Sequence, residues 1–84
     1  MQVGTQYTGT LAAASTTALF THSWNPASHV VWTVVPITPG PGAAQVEWTV
    51  KVQRASATAL TYHLAITNLS AAAVDVEVRY AILS

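Results

Sequence analysis

Residues 44–54 read AQVEWTVKVQR, and their alternation decides the fold. Val46, Trp48, Val50 and Val52 project to one side, while Gln45, Glu47, Thr49, Lys51 and Gln53 project to the other. A period of two with one apolar face is the signature of an antiparallel strand buried on one side. Two further segments repeat it. In Ala59–Asn68, Leu60, Tyr62, Leu64 and Ile66 alternate with Thr61, His63, Ala65 and Thr67. In Ala73–Leu83, Val74, Val76, Val78, Tyr80 and Ile82 alternate with Asp75, Glu77, Arg79 and Ala81. The links Ala55–Thr58 and Leu69–Ala72 are short, small and polar, which suits hairpins. The C-terminal half therefore reads as a three-stranded meander.

Working towards the N-terminus, the turn-rich stretch Thr38–Ala43 (TPGPGA) excludes regular structure. His29–Ile37 (HVVWTVVPI) is apolar on both faces, which predicts a strand that is central or lies under a partner. Pro36 cannot donate a ladder hydrogen bond, so the end of this strand is expected to be free, bulged or at an edge. Thr16–Trp24 is expected to form a strand with Phe20, His22 and Trp24 on one side, and Gln2–Leu11 a weaker, threonine-rich one. About six short strands and no helix-period segment predict a single all-β domain over residues 1–84, a small antiparallel β-sandwich or barrel.

Composition narrows the function. Hydrophobic residues make up 51% of the 84 and charged residues 7%, against about 25% charged in a typical soluble domain. Six charges cannot cover the surface of so small a domain. With no cysteine to staple it, self-association is the expected remedy, because subunit interfaces resemble a core cut in half. The basic residues are Lys51, Arg54 and Arg79 alone, too few and too scattered to neutralise phosphates, so nucleic-acid binding is not expected. No stretch approaches the ~20 apolar residues of a membrane span, and no basic, apolar leader is visible. The chain is expected to be cytoplasmic, or released without a signal peptide. Abundant Ala and Thr with a single lysine resembles the proteins of high-GC bacteria.

Two groups of residues carry chemistry. The first is His22-Ser23-Trp24-Asn25-Pro26-Ala27-Ser28-His29, a loop with an aromatic plate, an amide, a hydroxyl and two imidazoles. Trp24 suits stacking on the C–H face of a sugar, with Asn25, Ser28, His22 and His29 as hydrogen-bonding groups. The plainer reading is that Trp24 plugs the end of the domain and Asn25-Pro26 begins a turn. The second group comes from matching strand faces in the expected meander. Val50 opposite Tyr62, and Tyr62 opposite Tyr80, places Thr49, His63 and Arg79 in one outer row and Glu47, Ala65 and Glu77 in the next. Such a face can contact a polar ligand or a subunit, or simply be solvated with cross-strand charge pairs. A Glu47–Glu77 carboxylate pair is the only catalytic arrangement it offers, and a flat sheet excludes little water from it. His22 and His29 are seven residues apart, and no metal site or cofactor is expected. Trp32 and Trp48 are expected in the core. Asn68-Leu69-Ser70 matches the glycosylation pattern, but Asn68 reads first as a turn residue.

The leading expectation is therefore a non-catalytic, lectin-like module, a homo-oligomer that binds glycans through Trp24–His29. The alternative is a structural self-assembling subunit (shell, tail or scaffold) with no small-molecule ligand.

Overall fold

The computed structural model describes residues 1–40 and 42–83; of the expected turn-rich loop, Pro41 lies outside the described residues, as does Ser84. Six strands form: β1 (Gln2–Leu11), β2 (Thr16–Trp24), β3 (Val30–Pro36), β4 (Val46–Arg54), β5 (Leu60–Asn68) and β6 (Val74–Ile82). They make two three-stranded sheets, β1-β6-β3 and β2-β5-β4, with every neighbouring pair antiparallel. The fold is all-β, with no helix among the described residues and no closed barrel.

The expected meander is not formed. β4 and β5 pair as a hairpin, but β6 leaves that sheet and becomes the centre of the other, between β1 and β3. The reason lies in the apolar faces. β5 contributes Leu64 and Ile66 to the core, and β6 contributes Val74, Val76 and Val78, all nearly inaccessible. In one meander both apolar faces would point the same way, and only the weaker β1–β3 strands could cover them. Giving each strand the centre of its own sheet brings both faces into one core, joined by Leu11, Trp32, Val34 and Tyr62. Hydrophobic burial, the dominant favourable term, selects this arrangement.

The β5–β6 link is correspondingly a crossover. Asn68, 1% exposed, holds it. Its Nδ2 donates to the carbonyls of Leu11 (3.2 Å), Ala12 (3.2 Å) and Ala72 (2.9 Å). Its Oδ1 accepts from the Ser70 amide (2.9 Å) and hydroxyl (2.8 Å). The turn role read from sequence is present, and to it is added a tie to the β1–β2 corner. Nearby, the Leu69 amide donates to the Gln45 carbonyl at 2.8 Å, anchoring the start of the link to the segment before β4.

Of the two positions its apolar faces allowed, β3 does not take the central one: it is an edge strand, in keeping with Pro36 at its end. Trp32 and Val34 face the core, whereas Val31 on the opposite side is 48% exposed. Trp32 is buried as expected; Trp48 packs against the core but remains half-buried, because β4 is also an edge. Trp48→Ala is therefore expected to cost about 2 kcal/mol, below the ~3–5 of a fully buried ring. Urea denaturation with an unchanged slope and a shifted midpoint measures it; an unchanged midpoint would mean that the indole contributes nothing to the core.

Candidate functional site

The first candidate group depends on which way β2 points its aromatic rings. Thr21 pairs with Tyr62 and Trp24 with Leu60, so His22 and Ser23 together face the single residue Thr61. This is a β-bulge, and Ser23 adopts a left-handed φ of 66° within it. An extra residue reverses the alternation beyond it. Phe20 and His22 stay on the outer face, while Trp24 turns inward, away from the side it was expected to share with them.

There Trp24 meets other aromatic rings. It makes edge-to-face contacts with Trp32 (centroids 5.2 Å apart), Tyr80 (5.3 Å) and Tyr62 (5.8 Å). Its Nε1 donates to Thr21 Oγ1 at 2.7 Å. Gly4 makes room for the cluster on β1, because a Cβ there would lie 2.6 Å from the Tyr80 hydroxyl. Asn25 Oδ1 accepts from the Ala27 amide (2.9 Å), and the Asn25 carbonyl accepts from the Ser28 amide (3.1 Å), which closes the turn. His29 is exposed, and its carbonyl accepts from the Leu83 amide at 2.8 Å. The loop thus keeps exposed imidazoles at His22 and His29, a half-buried Ser28, and an indole packed against three other rings.

The second group is divided between the sheets. Thr49 lies opposite Ala65, Lys51 opposite His63, and Glu47 opposite Thr67. The expected pairing of Val50 with Tyr62 is displaced by two residues, since Val52 occupies that place. Arg79 and Glu77 sit on the other sheet, Arg79 between Thr5 and Thr33, Glu77 between Thr8 and Val35. Arg79 Nε donates to Glu77 Oε1 at 3.0 Å in an exposed ion pair, a class that contributes about 0–1 kcal/mol. Glu47 and Glu77 lie on outer faces of different sheets and form no carboxylate pair. Among the described residues no group of three His, Asp or Glu is arranged to hold a metal ion.

The structure assembles a different cluster on the outer face of β2-β5-β4. Phe20, 58% exposed, lies beside His63, which lies beside Lys51. His22 contacts Phe20 edge-on at 5.0 Å, and the His63 ring is 6.1 Å away. His63 Nε2 and Gln53 Oε1 are 2.8 Å apart. The next row, Ala18, Ala65 and Thr49, is small, so Phe20 and Lys51 wall an open depression above it. The arrangement offers an apolar plate, two imidazoles, an amide and an ammonium group, sufficient for stacking and hydrogen bonding. His22, His63 and Thr49 were expected site residues. Phe20, Gln53 and Lys51 were missed, because their convergence depends on the register and on the bulge.

The outer face of β1-β6-β3 is different in kind. Val3, Ala81 and Val31 form one row, and Thr5, Arg79 and Thr33 the next. Comparison with protein-family models, with curated proteins and with solved structures gives no match to this chain.

Proposed function

We propose that this chain is a non-catalytic, self-assembling structural subunit, a β-sandwich that associates with copies of itself through the apolar surface it leaves exposed. The observation that carries the reading is the exposure of Val3, Val31 and Phe20 on outer faces, and of Val50 and Val52 along an edge, in a chain with six charged residues. Apolar residues side by side across three strands, as in the Val3–Ala81–Val31 row, mark contact surfaces. The apolar outer side of β3, which from sequence placed this strand either centrally or under a partner, supports the same reading in a strand that lies at an edge.

Sedimentation of the purified protein tests it. A stable oligomer is expected at micromolar concentration and should persist on dilution. A folded monomer at those concentrations overturns the proposal.

Glycan binding is the second reading, and the Phe20–His22–His63 plate favours it. Copies arrayed in an oligomer would make weak sites effective through multivalency. A glycan-array screen of the parent and of Phe20→Ala separates the two readings. Binding lost in the variant, with its native mass intact, supports a lectin; no binding by the parent leaves the structural role.

A further inference from the structure

Four strands lie at sheet edges, and three of them are blunted against pairing. β1 is bulged between Thr5 and Tyr7, and β2 between Thr21 and Trp24. β3 has seven residues and ends at Pro36. β4 alone runs nine residues in unbroken register with its neighbour, and it contains neither proline nor glycine. Long regular edges template pairing with another chain, and natural proteins ordinarily interrupt them. β4 is also incompletely covered. Val50 and Val52 pair with the buried residues Leu64 and Tyr62 and share their face, yet they are 37% and 58% exposed. A strand laid along β4 would shield them.

We infer that β4 pairs antiparallel with β4 of a second copy, with Thr49 opposite Thr49, joining two three-stranded sheets into one of six. This rests on the self-association proposed above and adds its surface and register. Two constraints select the register. Inward residues must oppose inward residues, which removes every alternative that is out of phase. Among those that remain, pairing centred on Thr49 sets Glu47 opposite Lys51 of the second copy, and symmetry repeats the pair. The same register sets Trp48 opposite Val50 and Val46 opposite Val52. Centring on Val50 sets Glu47 against Gln53 and Lys51 against Thr49, losing both ion pairs. Centring on Lys51 or on Glu47 brings like charges together. Charge and apolar complementarity therefore point to one solution, an isologous two-fold contact.

Cysteine cross-linking of the full chain tests the contact, since the protein has no cysteine of its own. Directly opposed residues lie ~4.5–5.5 Å apart between Cα atoms, within disulfide reach, whereas a shift of two residues exceeds the ~7 Å limit. Thr49→Cys should form a disulfide-linked dimer under mild oxidation at least about tenfold faster than Gln53→Cys, which the register keeps apart. Glu47→Lys should shift the native mass towards smaller species, and adding Lys51→Glu should restore it. An oligomeric parent in which Thr49→Cys shows no preference overturns this contact while leaving self-association standing. A monomeric parent overturns both.

Discussion

Asn68→Ala is expected to lower stability by about 4 kcal/mol. The amide donates to three carbonyls and accepts from both donors of Ser70, and it is almost fully buried. Alanine would strand the Leu11 carbonyl away from water, at about 1–3 kcal/mol, and forfeit roughly 0.5 kcal/mol for each of the other four, partly accessible bonds. A domain of this size is stabilised by only about 4–12 kcal/mol. Little soluble protein is expected at 37 °C. Asn68→Asp sharpens the test. It keeps the shape and the acceptor at Oδ1 but replaces the Nδ2 donor with a second acceptor oxygen, placing a carboxylate against three carbonyls, so it should be no better tolerated than alanine. Thermal unfolding of both variants measures the effect. If Asn68→Asp melts with the parent, the amide is not the element that holds the crossover.

Trp24→Ala is the second large effect, expected at roughly 3–4 kcal/mol. A large ring leaving a packed cluster costs about 3–5 kcal/mol, and Trp24 is only partly buried, which reduces that figure. Its aromatic contacts add about 0.5–1.5 kcal/mol each beyond area burial. Thr21, itself buried, loses its indole partner as well. Trp24→Phe should recover more than half of the loss, because it keeps a ring in the cluster and gives up the indole N–H and part of the ring volume. Chemical denaturation of the three proteins provides the comparison. An undiminished midpoint for Trp24→Ala, together with lost glycan binding, would restore the loop as a sugar site and refute its role as a plug.

These residues show how much was legible in advance. The alternation in 44–54, 59–68 and 73–83 located three strands and the faces they bury, because period two is a local property of the chain. Which strand neighbours which is not local. β5 and β6 carry similar apolar faces, and only the competition to cover both decided that β6 changes sheet. The fate of Trp24 turned on one inserted residue at His22–Ser23, and no residue there demands a bulge as a glycine or proline would. Asn68 was readable as a turn former from its type and its place after Thr67. Its ties to Leu11 and Ala12 join segments more than fifty residues apart and have no sequence signature. The candidate site suffered most, since Phe20, Gln53 and Lys51 come together only through the register.

The central position of β6 also governs the order of folding. It is the sixth strand of the chain, and both β1 and β3 pair only with it. During synthesis that sheet cannot exist until its last member emerges, so β1 and β3 must wait with their backbone groups and apolar residues unpaired. Among the described residues, the β4–β5 hairpin is the only pairing of consecutive strands available beforehand. Loop closure over such separations slows folding and prolongs the life of exposed edges, the conditions under which chains capture one another. A protein built in this way has its period of greatest vulnerability before β6 arrives, and its low charge content gives little protection during the wait.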